Sequence, residues 1–181
     1  MTFFLEILKE GNIELRHMKP TLELAQDVFK IVDRNRTHLE HWLPWVDKIK
    51  TVEDEYVGLQ KSYEMNWPYL IFANDELAGF IDFIKRDEKR KKLEIAYWLD
   101  QNFTGQGIMT RAIKLVENMA FETGAWNKIE IQCDVSNNKS RNVIKRAGYI
   151  FEGTLRQEFP KADGVFEDIM IFSKLKSEWR E

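Results

Sequence analysis

Gly105 and Gly107 stand one residue apart, between a segment that alternates and a segment that turns. From Leu93 to Leu99, Leu93, Ile95, Tyr97 and Leu99 alternate with Glu94, Ala96 and Trp98, the period of two expected of a strand. From Ile108 onward Met109, Ala112, Ile113, Val116, Met119 and Ala120 recur at three- and four-residue spacing, one face of a helix reaching Phe121. A helix that opens directly on glycines presents unbonded N–H groups and the positive end of its dipole, which suits a phosphate. A P-loop would carry Lys and Ser or Thr after the second glycine, where Ile108 and Met109 stand. The dinucleotide loop would need a third glycine at Thr110. Both nucleotide readings fail on residues, and an anion seat of another kind remains.

Other side chains invite chemistry with less support. His38 and His41 lie three apart beside Trp42 and Trp45, but two histidines without a third ligand make a poor metal site, so no metal is expected. Cys133 shares its face with Ile129, Ile131 and Val135 and is expected in the core rather than as a nucleophile. Residues 85–92 hold six basic residues, but Asp87 and Glu88 interrupt them and no aromatics interleave. A solvated hairpin tip fits that run better than a nucleic-acid patch.

Composition narrows the class. The chain has 181 residues, 44% of them hydrophobic, enough for one compact domain over 1–181. A net charge of −3 offers no global field for nucleic acid or an anionic membrane. A single cysteine excludes an internal disulfide framework and agrees with a reducing compartment. No apolar run approaches the roughly 20 residues of a membrane span. The opening MTFFLEILKEGN is broken by Glu6 and Lys9 and lacks a basic leader, so a cytoplasmic location is expected. Six Trp and twelve Phe suggest a large core with an apolar pocket or a self-association surface, and the aromatic-rich N-terminal third is the candidate face for a homodimer.

The flanking elements follow in order. Ile13 and Leu15 mark a short strand, and Leu24, Ala25, Val28 and Val32 a helix running to about Arg34. Residues 35–50 read as a short helix stopped before Pro44. Thr51 to Asp54 is a capping-box-like start for a helix through Tyr63, ended at Trp67-Pro68. Residues 69–73 and 77–84 form a hairpin through Asn74-Asp75-Glu76. After the long helix, 128–135 alternates again, Ser136 or Asn137 caps a helix ending at Gly148, and 149–158 and 165–172 are strands joined through residues 161–164. The segment LKSEW closes the chain as a helix.

Two motifs in this order carry a resemblance. Asn102-Phe103-Thr104-Gly105-Gln106-Gly107 resembles the Q/R-x-x-G-x-G/A loop of the GNAT N-acetyltransferase superfamily, with Asn102 standing where Gln or Arg is usual. Asn137-x-x-Ser140-x-x-Val143, followed by Gly148-Tyr149, resembles the family's second motif, and the string YWLDQNFTGQGIMT is similar to the RimJ/RimL-type ribosomal-protein N-terminal acetyltransferase branch. The similarity covers nearly the whole chain. It implies an α/β (α+β) GNAT fold, a central mixed, mostly antiparallel, splayed sheet of about seven strands flanked by about four helices.

The resemblance also implies a reaction: acetyl transfer from acetyl-CoA to a primary amine by direct attack in a ternary complex, most simply onto a protein N-terminus of ribosomal type. Pyrophosphate would lie on backbone N–H groups from Gln106 to Thr110, through Gly107, Ile108 and Met109. Pantetheine would pair with the strand edge at Tyr97, Trp98 and Leu99, helped by Asn137. Ser140 would protonate the departing thiolate, the Leu99 N–H would serve the oxyanion, and Glu158 is the candidate base, with Glu167 and Asp168 behind it. The segment holding Trp42 and Trp45 would form a wall of the acceptor pocket. An α-amino group titrates near 7.7–8.0 and a lysine near 10.4, so the neutral N-terminal amine is about 300 times more available. A weak base acting through water would suffice for it. The alternatives are a small-amine acetyltransferase (polyamine, amino acid or antibiotic) and a non-catalytic acyl-CoA-binding module.

Overall fold

A computed structural model describes residues 4–161 and 164–179. These form eight strands and five α-helices: β1 (Ile7–Glu10), β2 (Ile13–Arg16), α1 (Leu22–Arg34), α2 (Arg36–Leu39), α3 (Val52–Met65), β3 (Pro68–Ala73), β4 (Glu76–Asp87), β5 (Lys92–Leu99), α4 (Ile108–Glu122), β6 (Lys128–Asp134), α5 (Asn138–Arg146), β7 (Ile150–Pro160) and β8 (Phe166–Leu175). All strands join one sheet in the order β1-β2-β3-β4-β5-β6-β8-β7. Its pairings are antiparallel except β5 with β6, which run parallel.

Local chemistry sets the helix boundaries. Thr21 caps α1 by accepting the Leu24 N–H, and Thr51 and Asp54 complete a capping box on α3. Gly107 precedes α4 at φ 74°, in the left-handed region that glycine enters without steric cost. The two faces of the sheet bury separate cores. One packs Ile113, Val116 and Ala120 of α4 on Ile71, Ile81, Ile95 and Ile131. The other packs Ala25, Val28 and Val32 of α1 and Leu59 of α3 on Leu70 and Trp98.

The feature that positions the site is a split in the sheet. Parallel pairing between β5 and β6 covers Lys92 to Ile95 against Lys128 to Ile131 and then stops. β6 stays with β8 as far as Asp134, and β5 stays with β4 as far as Leu99. Beyond Ile95 the two strands therefore diverge, leaving one edge of β5 open.

The structure departs from the sequence reading in several places. Strand β1 is an addition to it: only Leu8 of its residues is buried, so it shows no alternation. The basic run 85–92 is mostly strand, since β4 runs through Asp87 and β5 begins at Lys92. Residues 35–50 hold α2 and a separate 3₁₀ turn, Pro44–Lys48, with Pro44 at its first position. The closing LKSEW makes only a 3₁₀ turn over Lys176–Glu178. Of the expected linker 161–164, residues 162 and 163 lie outside the described residues. No described helix is long and apolar enough to cross a membrane.

Candidate active site

The open edge of β5 borders a cavity of about 770 Å³ that reaches both faces of the sheet. On one side its wall is the N-terminal end of α4 and the first turns of α5; on the other it is α2, the 3₁₀ turn after it and the tip of β7. Tyr97, Trp98, Leu99, Gly105, Gly107, Ile108, Met109, Thr110, Asn137 and Ser140 all line it, as do Trp42 and Trp45. Asn102, Gln106 and Glu158 do not belong to that wall.

At the α4 end, the first helical hydrogen bond is Arg111 N–H to the Gly107 carbonyl. The N–H groups of Ile108, Met109 and Thr110 thus have no acceptor within the helix, and the dipole adds about half a positive charge there. Ile108 and Met109 bury their side chains and offer only backbone. The Thr110 hydroxyl is buried on the cavity wall without a hydrogen-bond partner. An orphaned buried hydroxyl beside free amides fits an anionic ligand. Asn102 and Gln106 act on the loop itself: the Gln106 side-chain amide donates to the Asn102 carbonyl at 3.0 Å.

The loop is anchored from beneath. Asp100 is 1% exposed and accepts from Asn35 Nδ2 at 3.0 Å, from the Asn102 N–H at 3.1 Å and from Arg34. Asn35 Oδ1 in turn accepts the Gln101 N–H at 2.9 Å. Burial is the largest single influence on the Asp100 carboxyl and works to raise its pKa. The Arg34 guanidinium and the hydrogen bonds from Asn35 and Asn102 together outweigh it and hold the group below its ordinary value.

Along β5 the Asp100 N–H bonds the Ala78 carbonyl of the neighbouring strand. Strand amides alternate in direction, so those of Tyr97 and Leu99 point the other way, into the opening. Gly79 pairs with Leu99, and a Cβ there would collide with the Trp98 carbonyl oxygen. Trp98 itself buries its ring on the α1 face, stacked on Phe80.

Opposite that edge Asn137 caps α5, its Oδ1 accepting the Ser140 N–H at 3.0 Å. With its oxygen engaged in the cap, Asn137 has its NH₂ group to offer a ligand as donor. The Ser140 hydroxyl lies 3.0 Å from the Tyr97 hydroxyl and beside the Cys133 thiol. Burial raises the pKa of Tyr97 well above its usual range and pushes the Cys133 thiol up to about 11, so both stay protonated at neutral pH. Cys133 is buried in the core as expected, yet it also touches the cavity.

The wall on the α2 side holds Glu94 and Asp134, and both are paired. Glu94 meets Lys85 at 2.9 Å, while Asp134 meets Lys161 at 3.7 Å and accepts both the N–H and the hydroxyl of Ser136. Lys161 also lies over the ring of Trp42. Glu158 is exposed on β7, where the register shifts and Gln157 takes a φ of 50°. Its lesser rivals are engaged: Glu167 with Lys161 at 2.8 Å, and Asp168 with the Gln157 N–H at 2.8 Å.

Val143 and Arg146 on this wall continue the helical spacing that Asn137 and Ser140 begin, so sequence alone could have added them; Lys139 falls off that spacing. Phe159 and Lys161 could not have been found that way, because a bulge turns the end of β7 toward the cavity. The described residues hold no cluster with the makings of a metal site.

Residues 12–150 match the acetyltransferase (GNAT) domain family. The ribosomal-protein-serine acetyltransferase of Escherichia coli K12 is 30% identical over 178 residues, covering 94% of this chain and 93% of that protein. The structure of RimL, a ribosomal-protein α-N-acetyltransferase in complex with coenzyme A, superposes with a TM-score of 0.89 at 25% identity, over 96% of this chain and all of that one. The microcin self-immunity acetyltransferase MccE, in complex with acetyl-CoA and AMP, gives 0.86 at 27% identity over 92% and 93%. A sheet split beside a glycine-capped helix, matched in both sequence and fold, makes this chain a member of the GNAT family and an acetyl-CoA-dependent N-acetyltransferase.

Proposed function

We propose that this enzyme acetylates the α-amino group of a protein N-terminus, with a ribosomal protein as the acceptor class and the cytoplasm as its place of action. The observation that carries this is the charge of the acceptor wall. Its carboxylates among the described residues, Glu94 and Asp134, face Lys85 and Lys161, and Lys139 and Arg146 add two further cations to the cavity lining. A polyamine carries further cations that would need acidic partners, whereas a peptide N-terminus brings one amine and an uncharged chain. The names of the E. coli relative and of RimL support the same acceptor.

In this reading the amides of 106–110 and the Thr110 hydroxyl hold the donor's pyrophosphate. The Tyr97 and Leu99 edge and the Asn137 NH₂ group take the pantetheine amides as a strand would. The Leu99 N–H faces the oxygen on which charge develops, and Ser140 holds a proton at Oγ for the departing sulfur. RimL's coenzyme A is recorded in disulfide linkage with a cysteine, which supports a donor sulfur near Cys133 and Ser140 here. Trp42 and Trp45 form the acceptor wall. For self-association, the exposed Phe151, Leu155, Val165 and Phe166 make the β7–β8 edge a second candidate homodimer face beside the N-terminal third, which exposes Leu5, Ile7 and Leu22.

Intact-mass comparison of ribosomal proteins from cells with and without the enzyme tests the acceptor. Loss of about 42 Da from one species supports it; an unchanged ribosomal set with acetylated spermidine missing refutes it.

A second reading is favoured by the half-buried tryptophans on the acceptor wall, whose faces could stack on a base: an aminoacyl nucleotide as acceptor, by analogy with the AMP held by MccE. Competitive inhibition by AMP against the amine would select it.

A further inference from the structure

We infer that His38, on the acceptor side of the split sheet, is the general base that takes the proton from the attacking amine. The inference rests on the N-acetyl transfer described above and adds the residue that this chemistry lacks. An amine that arrives as an ammonium ion must lose a proton before it can attack, and a lone pair in the cavity wall must receive it.

The titratable groups on the wall leave few choices. Glu94 and Asp134 are held in ion pairs, Tyr97 and Cys133 stay protonated, and Lys139, Arg146 and Lys161 are cations. Glu158 is off the wall. His38 and His41 remain. His41 is exposed, with its ring edge-on to Trp42 at 4.2 Å between centroids.

His38 is half-buried on α2, and the charged group acting on it is Lys139, in the first turn of α5 across the cavity. The guanidinium on its own helix, Arg36, is tied down by Asp33 and by the carbonyls of Val46 and Ile49. Burial first, and then Lys139, lower the His38 pKa from 6.5, so its ring keeps a free lone pair at neutral pH. Ser140 follows Lys139 directly in the chain. His38 and Ser140 both line the cavity, one on α2 and the other on α5.

The step balances. One ammonium proton passes to a His38 ring nitrogen, directly or through one water. The amine lone pair forms the N–C bond at the thioester carbonyl, and the C–S bond breaks. A second nitrogen proton replaces the one Ser140 gives to sulfur, the third stays on the amide, and His38 returns its proton to solvent.

The test uses the full-length enzyme, acetyl-CoA and a peptide with a free N-terminal serine. Thiol release is followed from about pH 5 to 9, with a panel of spermidine and free amino acids in parallel. His38→Gln should lower kcat/KM about 100-fold at neutral pH while acetyl-CoA affinity stays within about twofold, the sign that the variant is folded. Added imidazole should restore His38→Ala in a saturable way, and Lys139→Gln should move the acidic limb of the profile upward. The inference is overturned if His38→Gln keeps its rate on whichever amine the enzyme accepts, if imidazole rescues nothing, or if Glu158→Gln is the change that removes the limb. Activity on spermidine alone would refute the N-terminal acceptor and leave the His38 arms readable on that amine. Thiol release with no amine would overturn both.

Discussion

Asn35 and Asp100, 65 residues apart in the chain, bond each other at 3.0 Å beneath the glycine loop before α4. The contact joins two regions with different tasks. Asn35 ends α1 and leads straight into α2, which carries His38, while Asp100 leads into the loop that opens α4. Replacing Asn35 by Ala leaves an oxygen of Asp100 and the Gln101 N–H without that partner. We expect a loss of about 2 to 4 kcal/mol in stability and acetyl-CoA binding weaker by about tenfold. Denaturant titration and calorimetry check both; wild-type affinity in a destabilised variant would show that the contact serves folding alone.

Ser140→Ala should cut turnover on the order of 100-fold with little change in acetyl-CoA affinity. Tyr97→Phe removes only one neutral partner of that hydroxyl, and a factor of about 2 to 10 is expected. Steady-state kinetics beside equilibrium binding separate the two. Equal losses would mean that the hydroxyl pair acts as one unit.

Glu55, in the first turn of α3, is buried with Oε2 unpartnered, and burial raises its pKa from 4.5 to about 7. The sign follows directly. Between those values the folded protein binds a proton that the unfolded chain releases, so this group lowers stability as pH rises toward 7 and the penalty is complete above it. Glu55→Gln should therefore stabilise the protein by up to roughly 3 kcal/mol at pH 8 and by almost nothing at pH 4. Thermal unfolding at both values is the measurement, and a gain independent of pH would mean that a buried charge is not its source.

Gly79→Ala places a methyl against the Trp98 carbonyl oxygen and 3.0 Å from the Leu99 Cα, both backbone. The strand that borders the cavity must move, at a cost of about 1 to 3 kcal/mol, and weaker acetyl-CoA binding is expected. Gly58 is a contrast: its Cβ would sit 3.8 Å from Ile49 in the interior of α3, so Gly58→Ala should gain about 0.5 to 1 kcal/mol. Unfolding curves of the two variants should move in opposite directions.

The two periods around Gly105 and Gly107 were legible because each element buries one face, and burial writes itself into spacing. The Asn137 and Ser140 motif was legible because a cap has few side-chain solutions. Asn35, Asp100 and His38 were less so. Their meaning lies in contacts across long stretches of chain, and a single Asn or His in a polar segment looks like many others. Glu158 is a different case, a motif position whose strand bends at Gln157 and leaves it outside the cavity wall. Fold-level order survived these misses because the strand and helix sequence does not depend on any one of them.

The short parallel seam between β5 and β6 also sets how the backbone trades protons with water. Four residue pairs join the strands there, and the amides of Tyr97 and Leu99 just beyond the seam have no strand partner although they sit near the middle of the molecule. Deuterium uptake at these two positions should be as fast as in a surface loop in the free enzyme, and should slow by orders of magnitude once the donor's pantetheine lies along them. Isotope labelling would then read donor occupancy from the centre of the sheet.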